Sequence, residues 1–296
     1  MLRICFKFAF ALLLSIVTID SITAQKGSHN SYNKASIELH SIFTTIRNNR
    51  DFKVRDSLSN IAQSIFDTVL IQKESFNDPF DTLKNLITCM YSDDKVIRII
   101  NWNIPLPNAS YNYYCYIQYF DKKEGIFTST KLKDNRLNIE NPTKLTLRPN
   151  NWFGALYYEI IPTRIKRKEV VYVLLGWEGY TLDANRKIID VVSFKKGKPT
   201  FGKDFFEFPK SKQKRVIFTY NFRAKMKLSW DKNFGMIIFD NLEKIPSLPA
   251  DIEGNLAPSM LFDGFIFENN VWKYMHDLDL KPSEKNKKRQ VKPYPY

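Results

Sequence analysis

The chain is poor in the residues that usually mark a reactive centre. It has 3 cysteines and 3 histidines among 296 residues. So few cysteines exclude a disulfide-dense small scaffold. His29, His40 and His276, taken with the cysteines, show none of the spacing of a zinc site. There is no Gly-x-Ser-x-Gly elbow, and Cys115, set among Tyr113, Tyr114 and Tyr116, suits packing better than nucleophilic activation. The 10 glycines exclude a collagen-like repeat, and Gly176-Trp177-Glu178-Gly179 holds too few of them for a phosphate-cradling loop. No cofactor is implied. Long apolar runs are lacking as well: Phe8 to Val17 (FAFALLLSIV) falls well short of the roughly 20 residues that a membrane-spanning helix needs.

That short run has a different meaning. Arg3 and Lys7 precede it, and a polar stretch ending in Ile22-Thr23-Ala24 follows it, before Gln25. This is the layout of a secretory signal peptide over residues 1–24, cut after Ala24. No cysteine closes the run, so a lipid anchor is not expected. The reading is an exported chain with no transmembrane segment after cleavage, resident in the periplasm, the outer envelope or the extracellular space. Residues 25–34 are polar and expected to be disordered. The charge is one-sided, with 45 Lys and Arg against 31 Asp and Glu. The last stretch, Lys281 to Tyr296, carries six bases and one acid and reads as a basic disordered tail. Such a surplus favours anionic partners. For an exported chain these are an envelope glycan, a lipid headgroup or an acidic protein, and not nucleic acid.

What is present is a two-part pattern. Leu39, Ile42, Phe43 and Ile46 recur at helical spacing, and Leu58, Ile61, Ala62, Ile65, Phe66, Val69 and Leu70 repeat the stripe over a longer span. Two amphipathic helices, a hairpin over 35–78, follow from this, with Pro79 barring continuation. From 79 to 280 the period changes. Short runs rich in Ile, Val, Phe and Tyr alternate with turn chemistry such as Ser92-Asp93-Asp94, Lys196-Gly197-Lys198 and Asn269-Asn270. No helical crossover intervenes, so neighbouring strands should be antiparallel. The predicted fold is mainly β: an antiparallel meander forming a curled sheet, an open barrel or a sandwich. Polar turns at 40- to 50-residue intervals keep a propeller as the alternative. The proline-bearing segment Asn241 to Met260 is expected to interrupt the meander as a surface excursion.

Cys89 and Cys115 are the cysteines left after signal removal. Export permits a disulfide between them, but a strand lies between theirs, which sets them about 9–10 Å apart against the roughly 7 Å that a bridge tolerates. Free thiols are the favoured reading and a bridge the other.

The segments VIRIINWNIPL (96–106), WFGALYYEIIP (152–162), LLGWEGYTLDANRKIIDVVSF (174–194), RVIFTYNFRAKMKLSWD (215–231) and FDGFIFENNVWKYMHDLDL (262–280) resemble a group of exported proteins of Bacteroidota that have no assigned activity. The resemblance implies an envelope location and transfers no catalytic residue. Asp56-Ser57-Leu58, Asp67-Thr68-Val69 and Asp81-Thr82-Leu83 look like the O-glycosylation motif of exported proteins in such bacteria, which marks Ser57, Thr68 and Thr82 as candidate sites.

The most informative loop runs from Trp177 to Arg186 (WEGYTLDANR) between two apolar strands. Trp177 and Tyr180 offer ring faces, and Glu178, Asp183 and Arg186 offer polar groups, the mixture that binds a sugar or a peptide. Alternately, Trp177 folds into the core. Glu178, Asp183, Asp231 and Asp263 also stand at strand ends, where a pair could serve a glycosidase. In an up-and-down meander, turn parity would place loop 177–186 at the same end as 210–215, 231–234 and 269–270. The leading reading is a non-catalytic envelope protein that binds a glycan, peptide or protein. The alternatives are a carboxylate hydrolase of envelope polysaccharide, or a lipid carrier if the sheet closes on a cavity.

Overall fold

The computed structural model describes residues 32, 34–166 and 169–279. The expected signal peptide, nearly all of the polar segment after it and the basic tail lie outside the described residues. Two helices come first, α1 over 34–48 and α2 over Phe52–Val69, the latter capped by the Asp51 carboxylate, which accepts from the Lys53 amide. Fifteen strands follow among the described residues, in three sheets.

The first sheet is a plain meander, β1 (Thr88–Tyr91), β2 (Ile97–Pro105), β3 (Tyr111–Asp121) and β4 (Ile126–Lys133). Its alternation is two-sided. Ile100, Trp102, Ile104 and Tyr116 face the helices and join Leu39, Phe43, Ala62 and Phe66 in one core. Ile97, Ile99, Cys115, Ile117 and Leu132 face the other way, into a second core. The opposing wall of that core is the middle sheet, in which β5 (Leu156–Lys166), β6 (Glu169–Gly179) and β7 (Ala184–Lys195) form another meander. Two short partners, β8 (Lys198–Phe201) and β11 (Val216–Asn221), share the free edge of β7.

β6 is apolar almost throughout because both of its faces are covered. Tyr172 and Leu174 pack toward the first sheet, and Val171, Val173 and Leu175 toward a third core. The far wall of that third core is the outer sheet, made of β9 (Phe206–Phe208), β10 (Ser211–Gln213), β12 (Leu228–Asp231), β13 (Met236–Lys244), β14 (Leu256–Glu268) and β15 (Val271–Met275). It supplies Phe206, Leu228, Ile237, Phe239, Phe265 and Trp272. The molecule is therefore a four-layer stack of helices, sheet, sheet and sheet, and no barrel closes among the described residues.

Strand pairing is antiparallel except for a two-residue parallel contact between β15 and β9. The expectation of one continuous meander is corrected at Gly202. Residues 201–208, whose phenylalanine-rich run the meander would make one strand, fall in two strands of different sheets, with Gly202 at φ +84° between them. A Cβ there would stand 2.6 Å from the Leu145 carbonyl oxygen, so only glycine fits this crossing. The chain then returns to the middle sheet as β11 and crosses again to the outer sheet as β12. A sandwich comes closest to this arrangement; a propeller does not describe it. The segment 241–260 also holds more strand than expected, for β13 runs to Lys244 and β14 starts at Leu256.

Cys89 and Cys115 are both free, which corrects the bridge considered for them. β2 separates them, with Cys89 opposite Ile100 and Cys115 opposite Asn101. They also belong to different cores on the two faces of the sheet. Ser57, Thr68 and Thr82 are exposed. The hydroxyls of Thr68 and Thr82 donate to the carbonyls of Ser64 and Ser36.

Candidate functional site

The expected loop 177–186 is shorter than its sequence suggests: Trp177 to Gly179 end β6, Ala184 to Arg186 begin β7, Glu178 pairs with Arg186 in the sheet, and only 180–183 form the turn, at the end of the first sheet. Tyr111, at the start of β3, meets Trp177 edge-on, with centroids 5.3 Å apart, and the Tyr113 hydroxyl accepts from the Gly179 amide at 2.8 Å. Glycine at 179 is required by this approach, because a Cβ would lie 2.3 Å from the Tyr111 ring.

Glu178 does not project from the loop. It is buried, with Oε1 accepting from Arg136 Nε at 2.8 Å and Oε2 lying 3.6 Å from the Arg186 guanidinium. Arg136 also pairs with the Asp134 carboxylate and donates to the Tyr111 carbonyl, and its guanidinium lies 4.6 Å from the centre of the Tyr113 ring. Burial pushes the Glu178 carboxyl above its usual range, while Arg186 and Arg136 pull it back.

The rest of the loop is committed in the same way. The Arg186 guanidinium lies over the Tyr180 ring. The Tyr180 hydroxyl donates to Glu253 at 3.1 Å, and Arg186 lies 3.9 Å from that carboxylate. Asp183 is exposed, and its carbonyl accepts from the Phe222 amide. The structure thus brings Glu178, Tyr180 and Arg186 together as a clasp of opposite charges, with Asp183 at the tip of the turn and Trp177 packed apart from it on Tyr111.

The four candidate carboxylates are not a facing pair. Asp231 accepts from the amides of its own turn, and the adjacent Lys232 pairs with Asp93 at 3.0 Å. The turn holding Asp93 lies at the end of the first sheet opposite Tyr111, so the 231–234 turn is far from loop 177–186. Turn parity misplaced it because the crossing at Gly202 breaks the up-and-down count. Asp263 is buried in the outer sheet under four donors and partners: Tyr274 Oη, Asn241 Nδ2, the Asp277 amide and His276 Nδ1. These hold its carboxyl below the usual range despite burial, the largest influence, which acts the other way.

Beside the clasp opens a cleft of about 500 Å³. Its walls come from four places: Gln63 on α2, Asn112 to Tyr114 on β3, Lys131 to Asp134 at the end of β4, and Pro149 and Asn150. β4 is an edge strand, so its alternation turns Leu132 inward and leaves Lys131 and Lys133 exposed. Tyr114 is held flat on Trp102, 5.1 Å between centroids and 8° between planes, and its hydroxyl donates to Asp56 at 3.0 Å. Lys131 pairs with Asp67 at 2.9 Å. The Lys133 ammonium pairs with no carboxylate among the described residues. The cleft thus presents one cation unpaired among the described residues, three amides and the Tyr114 ring, while the Tyr113 ring is buried under Arg136.

Sequence reasoning missed Asp134, Arg136, Asn112 and Lys133. Arg136 lies 42 residues before Glu178, in a segment with no period. Asp134-Asn135 is turn chemistry, and no other signal marks the segment. The chain matches no protein-family model and no curated protein, and its fold matches no solved structure.

Proposed function

We propose that the protein is an exported, non-catalytic binding protein of the cell envelope, and that it takes an anionic glycan in the cleft between α2 and the end of β4. The single observation that carries this reading is Lys133, an ammonium on the cleft wall that pairs with no carboxylate among the described residues, set with Gln63, Asn112 and Asn150 beside the Tyr114 ring. An ammonium selects carboxylate or sulfate, amides bond hydroxyls, and rings stack on sugar faces. The clasp supports the reading as scaffold: Glu178 fixes Arg136, and Arg136 fixes Asp134 on the cleft wall. The hydrolase reading is the weaker, since Glu178, Asp183, Asp231 and Asp263 do not face one another. The carrier reading is weaker too, since stacked sheets with shared cores leave no enclosed barrel for a lipid. The envelope location rests on residues 1–24.

The test is titration calorimetry of the chain from Gln25 with an acidic polysaccharide and its neutral counterpart, alongside an assay for released reducing ends. The acidic polymer should bind, the neutral one should not, and no ends should be released. Lys133→Ala should weaken binding about tenfold, the usual worth of a charge-assisted contact, whereas Lys198→Ala, at the start of β8 and outside the cleft, should not. Equal affinity for both polymers, or equal effects of the two variants, rejects the cleft; released ends reject the non-catalytic reading.

A further inference from the structure

The core between the two helices and the first sheet opens where α1 ends, the chain turns through 49–51 and α2 begins. The opening is a pocket of about 310 Å³. Its floor is apolar, with Ile46 from α1, Leu86 from the segment before β1, and Trp102 and Pro105 from β2. Its charge is of one sign. Arg47, in the last turn of α1, and Arg55, early in α2, both line it, and no carboxylate does.

Each guanidinium is positioned by one backbone carbonyl. Arg47 Nη1 donates to the Asn85 carbonyl at 3.3 Å, and Asn85 presents that carbonyl from the left-handed region, at φ +70°. Arg55 Nε donates to the Asn49 carbonyl. Neither arginine pairs with a carboxylate among the described residues. The acids nearest in sequence are committed elsewhere: Asp51 accepts from the Lys53 amide, and Asp56 accepts from the Tyr114 hydroxyl and from Asn60. Arg47 therefore keeps its Nε–Nη2 edge, and Arg55 its Nη1–Nη2 edge, as two complete pairs of donors. The stretch from Arg47 to Arg55 holds four bases against one acid, and Arg50 and Lys53 stand exposed on it. Like charges gathered in this way repel one another and burden the fold.

We propose that this pocket binds a phosphate monoester, with the phosphoryl group held by Arg47 and Arg55 and the organic part laid on Ile46, Leu86 and Pro105. A phosphate monoester carries about two negative charges at neutral pH, which two guanidiniums balance. Its three terminal oxygens accept from two arginine forks at once. A carboxylate or a sulfate ester brings one charge and leaves one arginine unbalanced. The pocket is roomier than one phosphate and its remaining wall is apolar, so the ligand carries a small organic group. The same phosphoryl chemistry occurs on soluble monoesters and on the headgroup of phosphatidic acid. The pocket shares no lining residue with the cleft at Lys133, so this proposal and the glycan reading fail independently.

The experiment is titration calorimetry, at about 0.05 M salt, with phenyl phosphate, inorganic phosphate and benzoate, alongside co-sedimentation with phosphatidylcholine vesicles that contain phosphatidic acid. The chain is used from Gln25, which keeps every described element. Phenyl phosphate should bind more tightly than inorganic phosphate and than benzoate. Arg47→Gln and Arg55→Gln should each lower affinity for the phosphoryl probe at least about tenfold. Lys53→Gln removes a neighbouring charge that does not line the pocket and should change affinity less than about twofold. Thermal midpoints equal to the parent's verify folding. Arg47 is exposed, so its variant decides the outcome even where Arg55→Gln, which loses the Asn49 bond, does not fold. Vesicle binding that Arg47→Gln abolishes assigns the phosphate to a lipid headgroup, and phenyl phosphate binding with the vesicles left unbound assigns it to a soluble monoester. Binding of neither probe, benzoate bound as tightly as phenyl phosphate, or Lys53→Gln as damaging as Arg47→Gln would each overturn the proposal.

Discussion

Arg136 is the residue on which the clasp turns, since one guanidinium serves two carboxylates, a carbonyl and an aromatic face. Arg136→Ala leaves Glu178 buried with Arg186 alone, 3.6 Å away. Breaking a buried pair by removing one partner costs about 3–5 kcal/mol, so the midpoint of chemical denaturation should fall accordingly; a loss below about 1 kcal/mol would mean that the pair is relieved by water. Asp263 gives a pH prediction. Its carboxyl is held below its unfolded value by its hydrogen bonds. The native state therefore binds fewer protons there than the unfolded chain, and the stabilisation is complete above the unfolded pKa, near 3.8. It disappears as pH falls through the lower folded value. Asp263→Asn should be less stable than the parent at neutral pH, and the gap should narrow below about pH 4; a gap constant with pH would assign the stability to packing. Neither residue's role was legible in the sequence. Glu178 read as a loop residue because its partner is 42 positions away, and Asp263 read as a strand end because its partners arrive from β13, from β15 and from the residues after it.

At the scale of elements, much more was legible. The stripe Ile65, Phe66, Val69 and Leu70 reports a face that does pack, and the apolar runs other than 201–208 fall on observed strands, with ends moved by up to six residues. β6 shows why: a strand covered on both faces must be apolar at odd and even positions alike, and VVYVLL is a strong signal. What failed was pairing. Periodicity tells which residues are covered and not by which sheet, so the change of sheet at Gly202 was invisible. The crossing can be probed by substitution. Gly202→Ala must adopt φ +84° and set a Cβ 2.6 Å from the Leu145 carbonyl. Strain of this kind adds about 1–3 kcal/mol to the ordinary left-handed penalty. Gly235→Ala, at φ +64° with nothing within 4 Å, should lose only about 1 kcal/mol. Equal losses in thermal denaturation would mean that Leu145 moves aside.

For the whole molecule, the stack makes each inner layer dependent on its neighbours. The first sheet meets the helices with Ile100, Trp102, Ile104 and Tyr116, and on its other face it meets the middle sheet. The helices are tied on by polar bonds as well: Trp102 Nε1 donates to Ser59 at 3.4 Å, and the hydroxyls of Tyr114 and Tyr116 donate to Asp56 and Asp67 at 3.0 and 2.6 Å. The same contact shapes the cleft, because Gln63 comes from α2 and Tyr114 is fixed between Trp102 and Asp56. A chain starting at Pro79 would uncover this face. Each large side chain returned to water forgoes about 1.5–3 kcal/mol, and an apolar patch of that extent exceeds what a monomer normally exposes. Such a chain should bind a hydrophobic dye, sediment as oligomers and lose glycan affinity, while its β-sheet circular dichroism persists through the two cores that remain. A monomer with the parent's thermal midpoint would show that the helices are an accessory to the sheets, and the cleft would then have to be built from β3 and β4 alone.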